Sequence, residues 1–178
     1  MDEPTGTTRS STGAFTGRVF TVTVDRVTLP NGRDATLDIV RHRGSVVLLP
    51  MQDDAHIVLI RQYRHAIDRW IWELPAGSLD EGEDPLAAAA RECEEEIRLV
   101  PEHVEFVGAW YPTPGLCTEV MHYYRLTGLR APDPNGPQAH KDDDEDIRVH
   151  VFTLDEARDM VRRGDIIDLK TAWGLTLV

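Results

Sequence analysis

Residues 45–51 read SVVLLPM and residues 56–60 read HIVLI, with Asp53-Asp54 as a turn between them. A strand with one wet face alternates apolar and polar side chains, so an unbroken apolar run reads as a strand covered on both faces. Helical patterns elsewhere can supply the cover. Asp84 is a good N-cap and Pro85 suits a first helical position. Beyond them Leu86, Ala90, Cys93 and Ile97 recur at helical spacing as an apolar stripe, and Pro101 closes that helix. Thr153 and Glu156 form a capping box that opens a second helix ending near Gly164, and residues 169–177 read as a third. EFVGAWY, EVMHYYRLTGL and IRVHVF read as further strands. Strands interleaved with helices point to an α/β protein.

The N-terminal part has another character. Residues 1–13 are polar and rich in Thr, Ser and Gly, and are expected to be a disordered lead-in. Residues 18–29 and 34–41 are strand-like, and the Asn31-Gly32 step between them signals a hairpin. A length of 178 residues, with no repeat and no linker, gives one domain over 14–178. Residues 131–146 form a long polar loop, and such loops in compact domains are often functional.

Charge narrows the partners. Nineteen Lys and Arg against 31 Asp and Glu leave a net charge of −12, which excludes the basic footprint that nucleic acids and anionic membranes require. An anionic substrate would need a cation or a local arginine cluster to reverse the field at its site. The chain has no signal-peptide run and no transmembrane-length apolar stretch, and its two cysteines, Cys93 and Cys117, make no disulfide framework. A soluble, reduced, cytoplasmic protein is expected.

The most informative residues lie on the first helix. Glu92, Glu95 and Glu96 stand at i, i+3 and i+4 and share a face, while Glu94 falls elsewhere and is expected to be solvated. Carboxylates packed so closely repel one another unless a hard divalent cation, Mg²⁺ or Mn²⁺, sits among them. Arg91, four residues before Glu95, can hold that carboxylate by an ion pair. The alternative is a charged, solvent-facing helix of the kind acidic proteins carry routinely.

Gly77 stands six residues before Glu83, and Glu83 eight before Arg91; Glu92, Cys93, Glu95, Glu96 and Leu99 follow. In this spacing the chain resembles the Nudix hydrolase family. The family's last glycine is replaced here by Arg98. RQYR, WELPAG and YPTPG, with EDIRVHV further on, resemble the ADP-ribose pyrophosphatase branch. The resemblance implies a Nudix-type α/β/α sandwich with a mixed sheet plus an N-terminal β-hairpin layer. It also implies a homodimer in which residues 14–43 are exchanged between subunits.

The implied reaction is Mg²⁺-dependent hydrolysis of ADP-ribose at its pyrophosphate, giving AMP and ribose 5-phosphate, with Mn²⁺ as a possible substitute. By the resemblance Glu92, Glu95, Glu96 and the Ala76 carbonyl hold the metal, with Glu83 acting behind them. Glu145 is the expected base, with Asp143, Asp144 and Asp146 as neighbours that blur the choice; Glu95 and Glu119 come next. Arg91 joins the catalytic set. Arg64 and, less directly, Arg61 bind phosphate, while Pro114 and Glu119 belong to a substrate-binding loop. Arg41 and Arg43 are expected to reach a partner's site. Trp72 and Trp110 could stack a base, but their apolar neighbours favour core packing. The rivals are the same chemistry on another nucleotide sugar, a non-catalytic nucleotide-sensing Nudix-like module, and an acidic cation binder.

Overall fold

The structure is a computed structural model that describes residues 3–135 and 146–178. Contacts divide the chain into two compact units, Met1–Gly44 with Tyr111–Val120, and Ser45–Trp110 with Met121–Val178.

The larger unit is built on β4 (Ser45–Pro50) and β5 (His56–Arg64). One sheet has the order β7-β4-β9-β8, with β7 Ala76–Ser78, β8 His103–Trp110 and β9 Met121–Thr127. Its β4 and β9 run parallel, and its other pairs are antiparallel. The other sheet has the order β10-β5-β6, with β6 Arg69–Glu73 and β10 Ile147–Thr153, all antiparallel. The unbroken apolar runs have the expected cause. Val46, Leu48, Val58 and Ile60 pack with Ala88, Ala89, Cys93 and Ile97 of α1 (Pro85–Ile97). Val47, Leu49, Ile57 and Leu59 face the other way, into a cluster with Ala157 and Met160 of α2 (Leu154–Arg163). Alternate residues thus meet opposite helical layers, and each fully buried Leu or Val contributes about 1.5–3 kcal/mol.

The caps act as the sequence implies. Asp84 accepts from the Leu86 N–H and Thr153 from the Glu156 N–H, and α2 ends at Gly164 in a left-handed conformation. The third helix, α3, spans Leu169–Gly174, N-capped by Asp168. Helix α1 ends at Ile97, before Pro101, with Arg98 as a left-handed C-cap. Its stripe is rotated from the expected one. Leu86 is exposed, Ala90 is only half-buried, and the buried residues are Ala88, Ala89, Glu92, Cys93, Glu96 and Ile97. Among the described residues no helix is long and apolar enough to cross a membrane.

The smaller unit corrects the disordered lead-in. Thr7–Thr16 is β1, an edge strand paired antiparallel with β2 (Phe20–Thr28), which pairs in turn with β3 (Asp34–His42). The N-terminal layer is therefore a three-stranded sheet containing the expected hairpin. At the turn, the Leu29 carbonyl accepts from the Gly32 N–H and Asn31 Oδ1 accepts from the Arg33 N–H. Residues 116–118 run beside the end of β3, where Val40 and Leu116 pair through backbone and Thr118 Oγ1 meets the His42 backbone.

Candidate active site

Helix α1 and the segment 73–83 build the carboxylate cluster. Arg91 is its hub. Its Nε and Nη2 donate to the two oxygens of Glu83 at 2.8 and 3.0 Å, while Nη1 donates to Glu92 at 2.8 Å and to Glu95 at 2.6 Å. One guanidinium thereby gathers three carboxylates, including the Arg91–Glu95 pair read from the i, i+4 spacing. The hydrogen bonds from Arg91 hold the Glu83 carboxyl below its ordinary range, and those from Glu83 raise Arg91 in turn.

Glu92 and Glu96 are the two glutamates of α1 that are buried, and Glu96 accepts from the Ala76 N–H at 2.9 Å. Glu95 is half-buried, and so is Glu94, which is not the solvated residue expected. Gly77 owes its place to Glu92. A Cβ built on Gly77 would lie 1.9 Å from the Glu92 carboxylate oxygen, so only glycine lets this carboxylate lie against the β7 backbone. Buried Cys93 beneath them is pushed up to about 12 by desolvation, and its thiol stays protonated.

Among the described residues, no three His, Cys, Asp or Glu side chains already converge as the ligands of a metal would. Arg91 stands among the carboxylates instead. The donor set nonetheless fits a hard divalent cation. Glu83, Glu92, Glu95 and Glu96 bring four carboxylates beside the single guanidinium of Arg91, and all offer oxygen.

The other expected site residues fall in several places. Arg64 donates through Nε and Nη2 to Glu73 at 2.6 and 2.8 Å, and lies near enough to Glu96 to feel its charge. Arg61 is exposed on the other face of β5, with its guanidinium over the Trp72 ring at 5.5 Å. Trp72 packs edge-on with Phe152, and Trp110 with Tyr123 and Trp173, so both tryptophans serve packing. In the smaller unit, Arg43 and Pro114 are exposed and Glu119 is half-buried, with its backbone N–H on Cys117 Sγ. Arg41 is bonded to Asp25 and Thr23 of its own sheet. Asp146 is exposed, while Asp143, Asp144 and Glu145, the expected base, lie outside the described residues.

Two functional-looking residues escape the sequence reading. Glu73 is 1% exposed and bonded to both Arg64 and Lys170; Lys170 also meets Asp168 at 2.9 Å. Desolvation pushes the Glu73 carboxyl up, but the two cations outweigh it and hold it below its ordinary range. The available signal was an acid set between Trp72 and Leu74, where a carboxylate requires a buried partner.

The model of the NUDIX domain matches residues 41–170, which span the carboxylate cluster and both covered strands. This chain belongs to the NUDIX domain family. The NUDIX chain is 38% identical over 157 residues to a methanol dehydrogenase activator of Bacillus methanolicus, covering 88% of this chain and 83% of that one. It is 34% identical over 161 residues to an ADP-ribose pyrophosphatase of Bacillus subtilis (strain 168), covering 90% and 85%. A crystal structure of an ADP compounds hydrolase superposes with a TM-score of 0.81 at 21% identity, covering 99% of this chain and 94% of that one. That likeness bears out the NUDIX fold, with its mixed sheet between helices.

Proposed function

We propose that this NUDIX protein hydrolyses ADP-ribose at its pyrophosphate, giving AMP and ribose 5-phosphate, with Mg²⁺ as cofactor and Mn²⁺ as a substitute. The observation that carries the reading is the buried pair of Glu92, set against the Gly77 backbone, and Glu96, held by the Ala76 N–H, with Arg91 holding Glu83 and Glu95 beside them. Glu92, Glu95, Glu96 and the Ala76 carbonyl are the proposed metal ligands. The Ala76 N–H already holds Glu96, which fixes one carboxylate oxygen and keeps this residue at the cluster. A bound divalent cation supplies charge neutralisation at the pyrophosphate and a more acidic water. Arg91 orients the carboxylates, and Arg64 offers phosphate the guanidinium edge that Glu73 leaves open. Arg61, Arg43, Pro114 and Glu119 are assigned to substrate binding, and Glu145 to proton abstraction.

The proposed assembly is a homodimer formed through the N-terminal strands, in the cytoplasm, with no nucleic-acid or membrane partner. Phe15, Phe20 and Leu37 are exposed on a sheet in which no described residue is both apolar and buried, which supports a second copy as cover. Light scattering at micromolar concentration should give twice the chain mass; a monomeric mass defeats the assembly.

The activity is tested by measuring product release from a panel of nucleotide sugars and ADP-ribose, with and without Mg²⁺. ADP-ribose should give the highest kcat/KM, and chelation should abolish it. A panel in which another nucleotide sugar leads by tenfold or more, about 1.4 kcal/mol, overturns the substrate and keeps the chemistry.

A further inference from the structure

Four charged side chains outside the signature form a chain that ends on Arg64. Glu73, at the end of β6, has a side chain only 2% exposed and takes both Nε and Nη2 of Arg64. Its second cation is Lys170, on α3, whose ammonium also meets Asp168 Oδ2. Asp168 in turn accepts from the Thr171 N–H and hydroxyl, and the Thr171 hydroxyl oxygen accepts from the Leu74 N–H at 2.7 Å. Tyr123 Oη donates to the Lys170 carbonyl. Helix α3 therefore grips residues 73 and 74 at two points, through a side-chain charge and through backbone.

The exposure of these groups is graded. Lys170 and Asp168 side chains are 14% and 18% exposed, whereas Arg64 is 41% exposed. Among the described residues the hydrogen bonds of Arg64 run from Nε and Nη2 to Glu73, and its side chain stays 41% exposed, so Glu73 occupies one edge of the guanidinium and leaves the other unoccupied. A planar guanidinium with one edge fixed presents its other edge in a set direction, which suits a phosphate oxygen.

We propose that Lys170 is a positioning residue for substrate, acting through Glu73 on Arg64. One carboxylate shared by two cations neutralises neither completely. With Lys170 in place, Arg64 is oriented by Glu73 yet keeps positive charge for an incoming diphosphate. Without Lys170, the buried carboxylate has Arg64 as its single counter-charge, draws it inward and cancels it. This inference rests on the reading of Arg64 as a phosphate ligand, and it adds α3 to the substrate-binding machinery.

The test compares Lys170→Met, Lys170→Arg and Leu175→Val, the last a packing control just past α3 whose side chain lies in the apolar core and takes no part in the Asp168–Lys170–Glu73–Arg64 chain. KM and kcat for ADP-ribose, affinity for ADP by calorimetry, and melting temperature are read on each. Lys170→Met should raise KM and weaken ADP binding about tenfold with kcat within about threefold, the signature of lost binding shared by ground and transition states. Lys170→Arg should restore both to within about threefold of wild type, since it returns the charge. Leu175→Val should lower the melting temperature and leave KM in place. Lys170→Gln, which keeps a donor and loses the charge, carries the same expectation as Lys170→Met should the latter not fold. Unchanged ADP affinity in the charge-removing variants, or an equal rise in KM for Leu175→Val, overturns the proposal. A wild type that binds ADP but leaves ADP-ribose intact sinks the substrate reading alone, and Lys170 is then judged on ADP affinity. A wild type that binds no ADP overturns the Lys170 proposal itself.

Discussion

In β4 all six residues are buried; in β1 all ten are exposed, and in β2 and β3 the single buried residue is Asp25. Both regions are well-paired sheet, so hydrogen bonding does not separate them. Apolar cover does. The central strands have helical layers on both sides, whereas the N-terminal sheet buries a carboxylate, held by Ser11 and Arg41, and leaves Phe15 and Phe20 in the open. Backbone pairing yields little net stability unless side chains leave water. The larger unit can therefore stand by its own core, and the N-terminal sheet requires cover from outside itself.

Paired truncations break or support this contrast most directly. Leu48→Ala, at zero exposure, should destabilise by about 3 kcal/mol through lost transfer energy and a cavity. Leu37→Ala, at 39% exposure, should cost under about 0.5 kcal/mol in a dilute monomer. Chemical denaturation across protein concentrations checks both. A Leu37→Ala cost that grows with concentration identifies a second copy as the cover, and a Leu37→Ala cost as large as that of Leu48→Ala in dilute protein sinks the contrast.

The carboxylate cluster should respond in activity rather than in stability. Glu96→Gln keeps an acceptor for the Ala76 N–H but removes a charge from the cluster. Turnover at saturating Mg²⁺ should fall by two decades or more, on the order of 3 kcal/mol in barrier. Metal-free melting temperature should hold or rise, because repulsion among the glutamates is relieved. Near-wild-type turnover removes Glu96 from the proposed ligands.

Asp25 and Glu73 sharpen the comparison further, since each is a buried carboxylate on an arginine, one in each unit. Hydrogen bonding from Ser11 holds Asp25 below its ordinary range, and Arg64 with Lys170 does so for Glu73 against its desolvation. A depressed carboxyl contributes stability that is present above the unfolded-state value and lost as pH falls through the folded one. Both contributions should therefore fade below about pH 4. Glu73→Gln should cost about 2 kcal/mol at pH 7, since it leaves two cations beside a buried amide. The cost should shrink on acidification; a pH-independent cost shows that packing, not charge, is what Glu73 provides.

What the sequence made legible follows the same physics. The runs at 45–51 and 56–60, the Asn31-Gly32 hairpin and the caps at Asp84 and Thr153 are local signals with local causes. Strand β1, TTRSSTGAFT, escaped because it is exposed throughout and takes its register from β2. The short strands β6 and β7 were hidden by turn residues around WELPAG. The α1 stripe keeps Cys93 and Ile97 but turns away from Leu86 and Ala90, because Glu92 and Glu96, charged yet buried, occupy positions that apolar periodicity assigns to solvent. The signature spacing was legible as resemblance, but its reasons lie in space: Gly77 clears room for Glu92, and Glu83 completes the grip on Arg91. Glu73 and Lys170 stand 97 residues apart, and periodicity carries no information about such a contact.

The smallest expected effect lies at two left-handed backbone positions, one in each unit. Gly32, in the hairpin, has φ +80°, and a Cβ added there would meet nothing within 4 Å. Arg98, at the end of α1, has φ 58° and ψ 36°, with its N–H on the Cys93 and Glu94 carbonyls. A residue with a side chain pays about 1–2 kcal/mol for this conformation, while glycine takes it freely. The backbone thus keeps the shape that the family's glycine serves, and Arg98 recovers part of the strain as a cation at a helix C-terminus, roughly 0.3–1 kcal/mol. The two substitutions should be near mirror images: Gly32→Ala loses about 1 kcal/mol from backbone strain alone, and Arg98→Gly gains up to about 1 kcal/mol. Arg98 is exposed and sits two residues beyond Glu96, so kcat for Arg98→Gly should stay within about threefold, well under 1 kcal/mol of barrier. A tenfold fall with an unchanged melt would place Arg98 on the substrate, and the departure from the signature would then be functional rather than a matter of backbone geometry.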